Sequence, residues 1–325
     1  MKQHFLLSSQ ARTLSLSAVA RMSEEEARAA FQAVRWADNK GKPYCPRCGC
    51  VDLYTYKVRR QWQCKGCGYR FSVTSGTIFD NRKLALRDIL LAVAIFVNGA
   101  KGHSALQLSR DLNCQYKTAF VLAHKIREAV VATDKGNKVS GEVEIDGCYV
   151  DGYVKPANWK ENRRDRRRTA NQSGKRRVVI VMRERKGKTL TFVAKSEDAS
   201  VSTLKDRIEV GSTVYADEAS HWDQLHARYL TKRINHSEAY SDGEGCTNQA
   251  ESFFSRLRRS EVGTHHHISG PYLAAYAGEM DWREDNRRVS NGGLYLTAAN
   301  ATAKHPVSKQ RKGYWQRRLQ REAAE

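Results

Sequence analysis

From residue 141 onward the chain alternates apolar and polar positions in short runs that read as strands. EVEIDGCYVDGY (142–153) has the period of two that a sheet face demands. RRVVIVMRE and TLTFVAKS predict two further strands, joined by the turn KGK. Residues 200–209 then switch to helical spacing, and STVYAD (212–217) is a short strand ending in an acid. Residues 219–228 read as helix, LTKRINHS (230–237) as strand, and 247–259 as a helix with one apolar face.

The first half of the chain is patterned differently. Ser23 with Glu26 three residues on is a capping-box signature, and helical spacing follows it over 23–35. A Cys- and Gly-rich module comes next, then a predominantly helical stretch, and the run DKGNK (134–138) has linker composition. Five segments follow: an N-terminal helical segment (1–41), a ribbon module (42–79), a helical region (80–133), a catalytic domain (139–300) and a basic tail (301–325). The element order β-β-β-α-β-α-β-α in the fourth segment predicts an α/β, ribonuclease-H-like mixed sheet.

Composition narrows the class of partner. A formal net charge of +21 over 325 residues calls for a polyanion, and nucleic acid is the first candidate. The rival, an anionic membrane, lacks support: no run of about 18 apolar residues exists to span a bilayer. The N-terminal MKQHFLLSSQARTLSLSAVARM is broken by Gln, Ser and Arg, which argues against a secretory signal and for a cytoplasmic protein.

Of the eight cysteines, Cys45, Cys48, Cys64 and Cys67 form two CxxC pairs separated by 15 residues. Two such knuckles complete a tetrahedral four-thiolate site for zinc, and four thiolates leave no open position, so that zinc is structural. Gly49 and Gly68 follow the second Cys of each pair, where a tight turn favours glycine. Cys50 is a rival ligand at the wrong spacing for a knuckle.

Within the helical region, Ser104 caps a predicted helix over 105–112, Leu112-Asn113-Cys114 makes a turn, and a second helix runs from about Gln115 to Val130. That is a helix-turn-helix pattern, with Tyr116, Lys117 and Thr118 where a recognition helix meets DNA; a plain helical hairpin is the alternative. The loop 155–177, with ten Lys or Arg against two acids, suits a DNA backbone; Arg163, Arg164, Arg166, Arg167 and Arg168 are its densest run. The tail 303–325 adds seven basic residues.

Three acids stand out in the α/β part. Asp146 lies inside an apolar strand, Asp217 ends another, and Glu251 lies on a helix. A ribonuclease-H-like sheet would converge them, and clustered carboxylates select hard divalent cations. Two magnesium ions, or manganese, about 4 Å apart could then activate a water or a 3′-hydroxyl and stabilise the leaving oxygen of a phosphodiester. Arg258, seven residues after Glu251, shares its helix face and could hold phosphate. Glu144 and Asp151 are rivals for the first position; Asp242, Glu244 and Glu218 read as solvent-facing. His236 and His265, His266 and His267 either lie near the site or form polar loops. Trp282 and Arg283 read as core packing.

With these residues in place, the chain resembles the ISXO-type insertion-sequence transposases, which join a zinc ribbon to a DDE-class domain. The resemblance runs from about residue 5 to 290, through CPRCGC, CKGCGYRFSVTSGTIF, KGHSALQLSRDL, YKTAF, EVEIDG, YADEASHW, TNQAESFFSRLRR and EMDWREDNRR. It implies strand cleavage and transfer on double-stranded DNA at transposon ends and target sites, with Asp146 and Asp217 as the first two acids. For the third place it offers Asn248, which shares a helix face with Glu251; Glu251 is preferred because a carboxylate binds magnesium better than an amide. Arg258 stands where the family often has lysine. Synapsis of two ends implies a homodimer on DNA. The other functions compatible with the residues are a DNA-binding regulator with an inert α/β domain and a metal-dependent nuclease without strand transfer.

Overall fold

The computed structural model describes residues 4–150, 157–165, 171, 174, 176–234, 247–311, 313 and 314. The chain divides into two compact units, one of residues 1–133 with 288–325 and one of residues 134–287. The break falls at the predicted linker.

In the first unit, α1 (Leu16–Ala20) precedes α2 (Glu24–Arg35), whose N-terminus carries the predicted capping box: the Glu26 amide donates to Ser23 Oγ and the Ser23 amide to Glu26 Oε2. Strands β1 (Leu53–Tyr56), β2 (Gln61–Cys64) and β3 (Arg70–Phe71) form a three-stranded antiparallel sheet. Trp36, at the end of α2, sets its ring against Trp62 and Phe71, and Arg35 donates to the carbonyls of Val73 and Ser75. The ribbon is thereby fastened to a helix, because a sheet of this size buries too little apolar area to stand alone.

Helices α3 (Leu86–Asn98), α4 (Ala105–Asp111) and α5 (Tyr116–Ala132) complete the predicted helical region. Ser104 caps α4, and Asn113 takes the left-handed conformation (φ 46°) that turns the chain into α5. Late in the chain, α9 (Asn291–Lys304) packs against α2, α3 and α5. The sequence pattern groups residues to 300 with the catalytic domain; the structure places α9 in the first unit instead. The cause is long-range: Asn291 Oδ1 accepts from the amides of Thr13 and Leu14, and its Nδ2 donates to Leu14 O. Local patterning carries no trace of such a contact.

The second unit is built on β4 (Glu142–Val150), β5 (Arg177–Glu184), β6 (Thr189–Ala194), β7 (Thr213–Asp217) and β8 (Leu230–Ile234). Their spatial order is β6-β5-β4-β7-β8. The pairs β4–β5 and β5–β6 are antiparallel, while β4–β7 and β7–β8 are parallel. This is the ribonuclease-H-like mixed sheet. One face, with Val143, Ile145, Ile180 and Met182, packs on α6 (Val201–Arg207), Trp222 and Leu225. The other, with Cys148, Val150, Val179 and Val181, packs on α7 (Asn248–Ser260) and α8 (Gly270–Asp285). Trp282 is buried on α8, and Arg283 is paired with Glu279. The predicted helix over 219–228 is a 3-10 turn, Ser220–Leu225. Trp222 and Leu225, three apart and both buried, stack on one side of such a turn.

Candidate active site and zinc centre

The four predicted thiols converge in the ribbon. Sγ of Cys45 lies 3.6 Å from that of Cys67, and Sγ of Cys48 lies 3.5 Å from those of Cys64 and Cys67. All four ligand atoms fall within 4.8 Å of one another. Sulfurs around a tetrahedral zinc, bonded at about 2.3 Å, stand about 3.8 Å apart, so the set fits zinc. Gly49 and Gly68 have φ of 75° and 68°, the left-handed conformation the knuckles require. The Cys67 amide points at the Cys64 sulfur and holds that thiol down to about 6. Cys50 lies outside the set.

The carboxylate site is assembled by the switch in sheet order between β4 and β7, where an open α/β sheet parts to form a crevice. The parallel pairing of these strands ends at Glu144 opposite Tyr215. Carried two residues further, that register sets Asp146 level with Asp217 on the neighbouring strand. Asp146 shares parity with Cys148 and Val150, so it faces the α7 side of the sheet, and Glu251 stands in the first turn of α7. Burial, with the charges of Asp217, Glu197 and Glu251 adding to it, pushes the Asp146 carboxyl up to about 7; its bond from the Gly147 amide, 2.7 Å, pulls the other way. The acids are thus near enough to feel one another. Their oxygens are spaced more widely than the thiols: among the described residues, the cysteines are the group of three or more ligands within 4.8 Å.

Two residues whose roles the sequence pattern leaves open hold this arrangement. Glu144, a rival for the first acid by its place on the strand, is fully buried and engaged elsewhere. Its Oε2 accepts from the amides of Gln249 (2.8 Å) and Ala250 (3.2 Å), and its Oε1 from Arg185 Nε (3.2 Å). The strand that carries Asp146 therefore anchors the N-terminus of the helix that carries Glu251, where the helix dipole favours an anion. Arg233 on β8 donates to the carbonyls of Asp217 and Ala219, both at 2.6 Å, and to Asp223 Oδ1 at 2.7 Å, which clamps the turn after β7. Asp217 Oδ1 accepts from the Ala219 amide in the same turn.

Asn248 opens α7 and Arg258 lies in its last turn, both exposed. Arg258 reaches the buried Cys148 thiol, which burial pushes up and the guanidinium draws back. Arg258 therefore reaches the strand of Asp146, two residues from that acid. His265 follows α7 with its ring 4.5 Å from that of Tyr276. Tyr116 and Lys117 are exposed and Thr118 half-buried in the first turn of α5. Lys117 and Thr118 border a cavity of about 330 Å³ that Arg82, Lys83, Lys125 and Arg311 also line, a cationic setting. Arg163 and Arg164 are exposed. Arg166, Arg167, Arg168, Asp151, His236, Asp242 and Glu244 lie outside the described residues. Among the described residues, no helix is long and apolar enough to cross a membrane.

Comparison with known proteins gives this geometry a family. Residues 138–285 match the ISXO2-like transposase domain, and residues 22–70 match the transposase zinc-ribbon domain. The chain is 27% identical over 272 residues, 78% of its length and 90% of the relative's, to a protein of Halobacterium salinarum described as an uncharacterised protein in transposable element ISH50. No solved structure matches the chain.

Proposed function

Because the chain is an ISXO-type insertion-sequence transposase, with that family's catalytic domain behind its zinc ribbon, we propose that it cuts DNA at the element's terminal repeats and joins the freed ends to target DNA. What supports this reading is that Asp146 and Asp217 fall level on adjacent parallel strands, with Glu251 in the first turn of the helix packed on the same sheet face. The donor set is hard oxygen, which fits magnesium or manganese and not a soft metal. Two such ions, when bound, would lower the pKa of an attacking water or 3′-hydroxyl and stabilise the departing oxygen.

The residues themselves supply position and charge. Asp146 and Asp217 present carboxylates from adjacent strands, and Glu251 closes the third side from α7, with Asn248 on the same helix face three residues earlier. Arg258 offers a guanidinium for a non-bridging phosphate oxygen. Glu144 and Arg233 keep helix and strand turn from drifting. Tyr116, Lys117 and Thr118 at the start of α5, with the arginines of the loop 155–177, take double-stranded DNA; the phosphate contacts make binding salt-dependent. Two synapsed ends call for a homodimer on DNA, and a chromosomal substrate places the enzyme in the cytoplasm.

The test is a strand-transfer assay with the element's own terminal repeats and magnesium. Asp146→Asn and Asp217→Asn should bind the repeats like the parent and lose cleavage. Magnesium-dependent cutting retained by either variant overturns the site.

A further inference from the structure

We propose that the outer face of the ribbon sheet binds single-stranded DNA, with unpaired bases stacked on the rings of Tyr54 and Tyr56. This binding activity is separate from the carboxylate site and does not depend on it.

The strand register builds the face. Tyr54 lies opposite Gln63 and Tyr56 opposite Gln61 across β1 and β2, and Gln63 lies opposite Arg70 on β3. Residues paired directly across a sheet share a face, so these five side chains stand together. The alternate set, with Trp62, Cys64 and Phe71, is buried, and Trp62 and Phe71 pack on Trp36. One face is thus taken by the core and the other is open: Tyr54 is 57% exposed and Tyr56 38%. A cation flanks each ring. Lys65 Nζ lies 5.2 Å from the centre of the Tyr54 ring, and Arg70 Cζ lies 5.5 Å from that of Tyr56. The Tyr56 hydroxyl donates to Gln63 Oε1 at 2.7 Å, which fixes that ring on the sheet.

Charge names the class of partner. Segment 42–71 carries seven Lys or Arg, one of them, Arg60, paired with Glu25, against the single acid Asp52. A zinc held by four thiolates adds negative charge, but too little to offset these cations. The surplus selects a polyanion, and membership of a transposase family selects DNA. A cationic surface alone would serve duplex and single strand alike; the rings separate them. In a duplex each base face is covered by its neighbours in the stack, and a protein meets edges and phosphates. Unpaired bases offer their faces, and aromatic rings set among cations take them with little regard to sequence. A solvent-facing strand position that serves pairing alone is filled as well by threonine. Two open tyrosines, each beside a cation, suit a flat anionic partner.

The experiment uses the full-length, zinc-loaded protein without magnesium, so its outcome is independent of cleavage. Fluorescence anisotropy reads binding to a labelled single-stranded oligodeoxynucleotide and to the duplex it forms with its complement. Zinc content and thermal melting are recorded on the same samples. The double variant Tyr54→Ala with Tyr56→Ala should weaken single-strand binding at least about tenfold, within the range that loss of base–aromatic stacking gives, and duplex binding less than about threefold. The corresponding pair of phenylalanine substitutions, which keeps both rings, should bind the single strand like the parent. If the double alanine variant loses zinc or melts early, Tyr54→Ala alone carries the test, since that ring is the more exposed of the two. Parent-like single-strand affinity in a folded alanine variant overturns the proposal. So does an equal loss for single strand and duplex, which would make the face a general phosphate surface, and so does a change in oligomeric state with DNA affinity unaltered, which would give the face to a second copy of the chain.

Discussion

Replacing Glu144 separates an anchoring carboxylate from a metal-binding one on the same strand face. Glu144 is 0% exposed and accepts hydrogen bonds from two amides in the first turn of α7 and from Arg185. Breaking a buried pair by removing one partner costs about 3–5 kcal/mol. The unmet amides of α7 and the lost dipole interaction, about 0.3–2 kcal/mol, describe the same missing charge, so the terms overlap and do not add. Arg185 keeps Glu142 at 3.4 Å and the Tyr215 ring at 3.7 Å, which limits the damage on its side. For Glu144→Ala the expected cost is therefore about 3 kcal/mol, the lower end of that range. Against a total stability of about 5–15 kcal/mol, this is a large fraction. Glu144→Gln keeps the volume and one acceptor oxygen, and should cost about 1–2 kcal/mol.

Urea unfolding followed by circular dichroism reads the stability, and the magnesium concentration for half-maximal cleavage reads the site. The glutamine variant should cut more slowly, because Glu251 is less firmly held, while its magnesium requirement stays within about threefold of the parent, well under the 10–100-fold expected of a lost metal-site partner. An alanine variant as stable as the parent within about 0.5 kcal/mol, the scale of an inert surface change, refutes the anchoring argument. So does a glutamine variant that needs tenfold more magnesium, since Glu144 would then be a ligand.

Three further outcomes follow. Cys64→Ser should release the zinc and unfold the ribbon, seen as lost metal content with the 134–287 unit still folded; unchanged zinc would count against the four-thiol site. Asp281, fully buried against the amide and hydroxyl of Thr191, has its carboxyl raised well above the ordinary 3.8 by burial. Above 3.8 the folded protein keeps a proton that the unfolded chain gives up, so this group makes stability fall as pH rises through that window; Asp281→Asn, which cannot titrate, should flatten the decline in urea midpoint from pH 4 to 7, and an unaltered slope would reject the assignment. Lys117→Ala should weaken binding to all DNA sequences alike and reduce the slope of log affinity against log salt by about 1; an unchanged slope would remove Lys117 from the phosphate contacts.

Much of the sheet was legible because its strands carry their burial in local pattern. Val178 to Met182 are all buried and read as one apolar run, while β4 alternates between two cores. The knuckle cysteines were legible for a related reason: their chemistry fixes their spacing. What escaped is tertiary. Arg233 looked like one more cation in a chain with 56 of them. The helix α9 could not be assigned to its unit because its partner, the segment at Thr13 and Leu14, is 277 residues away or more.

Glu144 shows why parity alone could not finish the reading. Both Glu144 and Asp146 point to the α7 side, so alternation predicts a shared face and nothing more. The difference between them is one of height along the strand. At the level of Glu144, α7 begins, and its first-turn amides claim the carboxylate; two residues on, the bridging between β4 and β7 has ended, and Asp146 accepts from the amide of its own neighbour Gly147 instead. A carboxylate satisfied by amides has little left for a cation, whereas one raised by burial and by its neighbours' charges gains from binding one. The same contrast bears on the substrate. A DNA phosphate drawn in by the basic surface would be repelled by Asp146, Asp217 and Glu251 unless cations stood between them, so substrate and metal must favour each other's binding at this crevice.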